Sequence, residues 1–146
     1  MERDSMWPYT VEEAEALASP RGELSARTVA MPADTNPNGE IFGGWIMSMM
    51  DTAGMMTATR HAQGRVTTVA VTDMTFLYPV KVGDVVCCYT DLVCIGKTSA
   101  CFHIEVWVLR AGQGSRIKVT EAEFTFVALD AEGHPRRFQA EAVAAA

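Results

Sequence analysis

Asp51 is the residue of this sequence best placed to do acid–base or nucleophilic chemistry. It is the only acidic residue between Glu40 and Asp73, and it lies in an apolar stretch that is rich in Met and Ala. Burying a carboxylate costs free energy, so such a residue needs a compensating partner or a functional role. The pattern predicts a catalytic carboxylate, or else a structural one that caps a neighbouring element or pairs with a buried arginine.

A turn-rich loop and a glycine pair precede Asp51. Residues 36–39, Asn-Pro-Asn-Gly, combine a fixed φ with residues that favour turns, so neither a strand nor a helix continues through them. Gly43 and Gly44 lack side chains and let another group approach the backbone closely. We therefore expect the loop to lead into a helix whose first turn is open to such an approach.

The spacing within this helix predicts two different faces. At 100° per residue, a small and polar face carries Asp51, and an apolar face packs on the core. The predicted polar face consists of Gly44, Ser48, Asp51, Gly54 and Ala58, and the predicted core face of Ile46, Met49, Ala53 and Met56. The small-residue face would admit a thin substrate or another helix.

The elements that position these residues follow from apolar periodicity and turn residues. Strands are predicted at 23–30, 65–78, 84–95, 100–110 and 116–130, and one long helix at 43–62. The capping-box pattern from Thr10 to Glu13 predicts a short helix, or else a mobile arm. One long helix beside long strands predicts an α+β fold, in which a curved antiparallel sheet of about five strands wraps around the helix. A single helix cannot cover both faces of that sheet, so we expect an oligomer.

The composition argues against several functional classes. The 146 residues suffice for one domain, and the net charge of −6 disfavours a nucleic-acid partner, which would require a basic face. No apolar run is long enough to cross a membrane, and the acidic N-terminus is unlike a secretory signal. We expect a cytoplasmic protein with no membrane or nucleic-acid partner.

The cysteines and histidines do not predict a metal or redox site. The cysteines follow no zinc or redox spacing and are expected to be buried free thiols in a reducing compartment. They are Cys87, Cys88, Cys94 and Cys101. The histidines are scattered along the chain with no HxxxH pattern or carboxylate cluster, so no metal ion is predicted.

Several segments taken together resemble one family. MPADTNPNGEIFGGWIMSMMD, TVAVTDMTFLYPVKVGDVVCCY, GKTS, EVWV and EAEFTFVALD occur in this order and are similar to segments of hotdog-fold acyl-CoA thioesterases. The similarity is to the bacterial YciA type and its eukaryotic cytosolic acyl-CoA hydrolase relatives. It implies a hotdog domain over residues 23–135, preceded by an arm over 1–22 and followed by a tail over 136–146.

The resemblance implies that the protein hydrolyses acyl-CoA to a free carboxylic acid and CoA. Asp51 corresponds to the catalytic aspartate, acting as a general base on water or as a nucleophile that forms an anhydride. Asn36 corresponds to the asparagine that completes the site from the facing subunit. Gly43 and Gly44 match the glycine pair at the helix start, where unpaired N–H groups can bind the thioester oxygen as it gains charge.

The resemblance also implies how CoA is held and how the subunits assemble. CoA is part of the substrate and product, and no separate cofactor is implied. Thr68 and Val69 are expected to line the pantetheine arm, and Lys97, Thr98 and Ser99 to contact the CoA, unless Lys97 is only a solvated turn residue. A dimer is implied as the catalytic unit, and a trimer of dimers, a hexamer, as the assembly.

Two alternative functions use the same fold. A non-catalytic acyl-CoA sensor would bind the ligand without turnover, but the presence of both Asp51 and Asn36 argues against it. A hotdog enoyl-CoA hydratase would need a histidine shortly after the aspartate, and this sequence has Met56 at that place. Hydrolysis is therefore the predicted reaction.

Overall fold

The chain forms one long helix and five strands within residues 19–110 and 116–139, the part that the computed structural model describes. These are β1 (Glu23–Val29), a 3-10 turn (Pro32–Asp34), α1 (Gly43–Ala62), β2 (Val66–Phe76), β3 (Val85–Ile95), β4 (Ser99–Leu109) and β5 (Arg116–Ala128). The predicted long helix and strands are confirmed. The helix predicted from Thr10 lies outside the described residues. No helix of the described ranges is long and apolar enough to cross a membrane.

The five strands form one antiparallel sheet in the order β1-β3-β4-β5-β2. α1 packs on one face of this sheet and contacts all five strands, which confirms the predicted α+β architecture. The connection between β2 and β3 is longer than a tight hairpin turn. Residues 77–84 carry the chain from β2 at one edge of the sheet past β5 and β4 to β3. Within the described chain, β2 is therefore an edge strand that pairs only with β5.

The core lies between α1 and the side of the sheet that faces it. Alternate residues of β4 and β5 point into it, and they are all buried. They are Ala100, Phe102, Ile104, Val106 and Val108 on β4, and Ala122, Phe124, Phe126 and Ala128 on β5. Part of the opposite side of β4 is buried as well, since Glu105 is only 5% and Trp107 only 3% exposed.

The buried face of α1 is rotated relative to the prediction. Its buried residues are Ile46, Met50, Ala53, Gly54, Thr57, Ala58 and Ala62. The assignment of Gly54 and Ala58 to the open face is therefore wrong, and so is that of Met56 to the core, since Met56 is 48% exposed. The physical reason is close packing. A Cβ on Gly54 would lie 2.6 Å from Ile104 Cδ1, so a glycine is needed for the helix to come this near to the sheet.

The two ends of α1 are terminated differently. Phe42 precedes the helix and makes no side-chain hydrogen bond to its first turn. At the other end, Gln63 adopts a left-handed φ of 54°, and Arg136 Nη2 donates to the Ala62 carbonyl at 2.8 Å. Phe138 is buried in the core, so residues just after 135 also pack on the domain. The N-terminal end of α1, which carries Gly43 and Gly44, thus receives no side-chain cap from Phe42.

Candidate active site

Asp51 lies near the middle of α1 and is half-buried. Its Oδ1 accepts a hydrogen bond at 2.5 Å from the hydroxyl of Thr68, a residue of the edge strand β2. Within residues 19–110 and 116–139, no lysine, arginine or histidine forms an ion pair with this carboxylate. The alternative of a buried arginine partner thus finds no support in the described chain. One hydrogen bond holds the carboxylate and leaves lone pairs that can accept a proton.

Asn36 lies in the loop before α1, and the backbone around it fixes the orientation of its amide. Its Oδ1 accepts hydrogen bonds from the N–H groups of Asn38 at 2.9 Å and Glu40 at 3.1 Å. Because both partners are donors, the amide oxygen must point toward them and the NH₂ group away from them. The two Nδ2 protons are therefore directed outward, as stabilisation of a developing negative charge requires.

The first turn of α1 supplies a second set of hydrogen-bond donors. The first N–H groups of a helix have no intrahelical acceptor, and the helix dipole adds a partial positive charge at this end. A Cβ on Gly43 would lie 3.4 Å from the Phe76 ring, whereas a Cβ on Gly44 would meet nothing within 4 Å. The backbone at Gly44 is consequently open to a group from outside the chain.

A cavity of about 260 Å³ joins these two sets of donors, because Asn36 and Gly43 both lie in its wall. The rest of the wall is mostly apolar and consists of Glu40, Ile41, Ile46, Phe76, Tyr78, Pro79 and Val80. A pocket with donors at one point and apolar walls elsewhere suits a molecule that joins a carbonyl group to a hydrocarbon chain.

Asp51 does not line this cavity. It lies about two turns further along α1 than Gly43, which corresponds to about 12 Å at the α-helical rise per residue. A general base must come within about 3 Å of the proton donor, or reach it through one water. One chain therefore brings Asn36 and Gly43 to one cavity, with Gly44 as the next residue of the helix, but it does not bring Asp51 to that cavity.

Comparison with known proteins identifies the family of this chain. The family model described as "Thioesterase superfamily" matches residues 38–114. The acyl-CoA thioester hydrolase YciA of Escherichia coli K12 is 56% identical over 125 residues, which cover 84% of this chain and 95% of that protein. The chain belongs to the thioesterase superfamily.

Solved structures extend this similarity to the fold. A hexameric thioesterase from Yersinia pestis aligns with a TM-score of 0.78 at 55% identity, over 84% of this chain and 99% of that one. A hexameric hotdog fold thioesterase of Campylobacter jejuni aligns with a TM-score of 0.78 at 37% identity, over 85% of this chain and 96% of that one. The predicted hotdog fold of this thioesterase is confirmed.

The residues that the sequence assigns to CoA lie at one end of the sheet of this thioesterase. Thr68, Phe126 and Ala100 are paired residues of β2, β5 and β4, so they form one row across the sheet. At about 4.8 Å per strand, Ala100 lies about 10 Å from Thr68. Lys97 and Thr98 lie in the turn just before it, and Ser99 is the first residue of β4. A long ligand could span that distance.

The turn between β3 and β4 is held by backbone hydrogen bonds from two other parts of the chain. The Phe138 N–H donates to the Lys97 carbonyl at 3.1 Å, and the Ala128 N–H donates to the Thr98 carbonyl at 2.9 Å. The side chain of Lys97 is exposed, and so is that of Val69 on the edge strand, at 55%. The position of Lys97 is compatible with the predicted CoA contact and also with a solvated turn residue.

Two contacts at the site were missed by the sequence analysis. Thr68 was expected to line the pantetheine arm, and its hydroxyl in addition donates to Asp51. Tyr78 lines the cavity, and Arg110 lies 5.1 Å from the centre of its ring and donates to its hydroxyl at 3.2 Å. Hydrogen bonds to Asp84 raise the pKa of Arg110, so the cation stays charged over the ring. Such pairs join distant parts of the chain and follow no spacing rule.

A cluster of His103, Glu105 and Glu121 lies on the side of the sheet that faces away from α1, with its ligand atoms within 4.8 Å of one another. The scattered histidines of the sequence gave no sign of it. Lys118 Nζ lies 2.6 Å from Glu121 and 3.5 Å from Glu105, so a lysine already supplies positive charge there. Burial by itself raises the pKa of Glu105, but hydrogen bonds from Trp107, the Arg21 backbone and His103, with the charge of Lys118, lower it overall. The three side chains and Lys118 thus form one network of ion pairs.

Proposed function

We propose that this thioesterase hydrolyses acyl-CoA thioesters to a free carboxylic acid and CoA. The observation that carries the proposal is the cavity where the Asn36 amide and the start of α1 meet apolar walls. Donors of this kind stabilise the negative charge that develops on a thioester oxygen, and the walls accept a hydrocarbon chain. The name of YciA, an acyl-CoA thioester hydrolase at 56% identity, supports the same reaction here.

Each group has a defined role in the proposed hydrolysis. The thioester oxygen accepts hydrogen bonds from Asn36 Nδ2 and from the N–H groups of Gly43 and Gly44. Asp51 takes a proton from water while the water oxygen attacks the carbonyl carbon. The C–S bond then breaks, and the CoA sulfur leaves as a thiolate that takes up a proton. In the alternative route, Asp51 attacks the carbon itself, and water hydrolyses the resulting anhydride.

Each active site in this proposal is built from two subunits. The donors come from one subunit and Asp51 from its neighbour, because Gly43 and Asp51 lie about 12 Å apart along one helix. The outer edge of β2 supports such a pairing, since no strand of the described residues bonds to it and an edge strand presents backbone groups that a second strand can bond. Thr68 of that same strand contacts Asp51, so two paired β2 strands would bring their helices together on one face. We infer that a dimer is the catalytic unit.

A trimer of these dimers is the proposed assembly. The similar thioesterases from Yersinia pestis and Campylobacter jejuni are hexameric. Two apolar side chains outside the cavity, Val29 at 46% and Val82 at 44% exposure, offer surface for contacts between dimers. The cytoplasmic location and the absence of a metal ion stay predictions of the sequence.

The turn of Lys97, Thr98 and Ser99 is the proposed contact for CoA. This turn and Thr68 lie at the same end of the sheet, which supports the placement. The β2 backbone at Thr68 and Val69 would then lie along the pantetheine arm. Lys97 supplies local positive charge, which an anionic ligand needs on a chain of net charge −6.

The release of free thiol from a panel of acyl-CoA substrates tests the reaction. Asp51→Asn is expected to lower kcat by about 10²–10⁴-fold, because it removes the general base or nucleophile. Its amide oxygen can still accept from Thr68, so thermal stability and CoA binding are expected to stay near wild type. Glu132→Gln makes the same chemical change on the surface and is expected to leave kcat unchanged. A wild-type protein that releases thiol from no acyl-CoA would reject the function, and full activity in Asp51→Asn would reject the role of Asp51.

A mixing experiment tests the shared site. Asn36→Ala and Asp51→Ala proteins, each inactive, are dissociated, combined and reassociated. If one subunit supplies Asn36 and the other Asp51, each hybrid dimer has one site with both residues, and activity is expected to reappear. Hybrid formation is checked by native mass spectrometry. Hybrids that stay inactive would show that both residues act from one chain.

A further inference from the structure

A β-bulge brings Cys94 and Cys101 directly opposite each other, although their spacing in the sequence matches no zinc or redox motif. In the pairing of β3 with β4, Leu92 lies opposite Phe102, but the register shifts before the next pair. Cys94 therefore lies directly opposite Cys101. A regular ladder would place Val93 opposite Cys101 instead, so the extra residue of the bulge is what creates the cysteine pair.

The geometry of this pair suits a disulfide. Residues directly opposite each other on antiparallel strands have Cα atoms about 4.5–5.5 Å apart, which is inside the range of about 4.4–6.8 Å for disulfides. Interaction with Cys101, chiefly as a hydrogen-bond partner, followed by burial, raises the pKa of Cys94. Cys101 Sγ also lies 3.7 Å from the Thr125 hydroxyl. Each residue keeps a free thiol in the structure.

Solvent access singles out this pair among the four cysteines of the chain. Cys94 is exposed and Cys101 is half-buried, whereas Cys87 and Cys88 are buried. Burial raises the pKa of Cys88 to about 12, which keeps it protonated and unreactive. The expectation of four buried thiols is therefore confirmed for Cys87 and Cys88 and wrong for Cys94.

We propose that Cys94 and Cys101 form a covalent modification site that takes low-molecular-weight disulfides and ends as an intrachain disulfide. The Cys94 thiolate attacks one sulfur of the small disulfide, forms a mixed disulfide and releases one small thiol. The Cys101 thiolate then attacks Cys94 Sγ, forms the Cys94–Cys101 bond and releases a second small thiol. The protein loses two electrons and two protons, and the small disulfide gains them as two thiols.

The position of the pair makes this a reversible modification. The bond would close only the short loop of the β3–β4 turn, so it would restrict the unfolded chain less than a long loop does. Disulfides with little stabilisation, or with strain, are the ones that small thiols reduce again. The inference rests on the register and on exposure, and it is independent of the proposed thioester hydrolysis.

The test uses the purified full-length protein and glutathione disulfide. The protein is incubated with the oxidant, quenched in acid, alkylated and mapped by mass spectrometry. We expect a peptide in which a disulfide links Cys94 to Cys101 within one chain, and full reversal by reduced glutathione. Cys87 and Cys88 are expected to remain free thiols, so that neither forms a disulfide. No modification of Cys94, or a link between chains, would overturn the proposal.

Serine variants separate the pair from a single reactive cysteine. In Cys101→Ser the second step is blocked, so a glutathione adduct is expected to persist on Cys94, several-fold above its level in the wild type. In Cys94→Ser, Cys101 is expected to react several-fold more slowly, because it is half-buried. A wild-type protein that accumulates the Cys94 adduct to the level of Cys101→Ser would show that the two thiols do not pair. If a variant does not fold, the mass-spectrometric map of the oxidised wild-type protein decides by itself whether the Cys94–Cys101 disulfide forms.

Discussion

Asp51 receives its hydrogen bond from Thr68, a residue of an edge strand, and not from its own helix. At 2.5 Å between the two oxygens, this is a charge-assisted bond, and it fixes one carboxylate oxygen relative to β2. Within the described residues no strand pairs with the other edge of β2, and the proposed dimer would form there. Thr68 is therefore a positioning residue that connects the orientation of Asp51 to the proposed dimer.

Thr68→Val is expected to lower kcat about tenfold while KM changes little. Valine has nearly the same shape and suits a strand, but it lacks the hydroxyl, and a hydrogen bond to a charged group contributes about 1.5 kcal/mol or more. Steady-state kinetics on one acyl-CoA measures both constants. Thr68→Ser keeps the hydroxyl and is expected to restore kcat. A raised KM at normal kcat in Thr68→Val would instead assign Thr68 to substrate binding.

At the scale of elements, the sequence predicted the helix and strands well because local signals mark their ends. Turn residues such as Gly39 and Gly64 flank the long helix, and alternation marks β4 and β5. The face of α1 was harder to predict, because its closest approach to the sheet is at Gly54, which has no side chain to contribute to an apolar pattern. Strand order and the β3–β4 bulge depend on tertiary pairing, so no local pattern shows them.

Gly54→Ala is expected to destabilise the fold by about 1–2 kcal/mol. The added Cβ would lie 2.6 Å from Ile104 Cδ1 and 2.9 Å from the Phe126 ring. Such overpacking costs about 1–3 kcal/mol, and the better helix propensity of alanine offsets up to about 1 kcal/mol of it. Thermal and denaturant unfolding measure the change.

Two further variants show whether the crowding at Gly54 is the cause. Ile104→Val removes the Cδ1 atom, so the double variant is expected to be more stable than the sum of the two single effects. Gly44→Ala places a Cβ where nothing lies within 4 Å, and it is expected to leave stability unchanged or slightly higher. A Gly54→Ala protein as stable as wild type would show that the helix can move away from the sheet at little cost.

At the scale of the whole molecule, a two-fold axis fixes how the helices must meet if the site is shared. In such an interface, a contact from Asp51 of one subunit to Gly44 of the other is repeated in the opposite direction. The two helices then run antiparallel, and the residues midway between Gly44 and Asp51, which are Met47 and Ser48, lie nearest to the axis. Ser48 is exposed in the single chain, as a residue at such an interface would be.

This register predicts that Ser48→Cys, made in a Cys94→Ser background, forms a cross-link between subunits under mild oxidation or with a short bifunctional maleimide. Thr59→Cys is the matched control, since Thr59 is exposed on the same helix. In the antiparallel pair it lies about 17 Å from the axis, so two such residues are about 35 Å apart, beyond a short reagent. Denaturing gels measure the dimer band. A band from Thr59→Cys without one from Ser48→Cys would mean that the helices meet elsewhere. Asp51 would then lie too far from the donors of the neighbouring subunit, and the shared site would have to be abandoned.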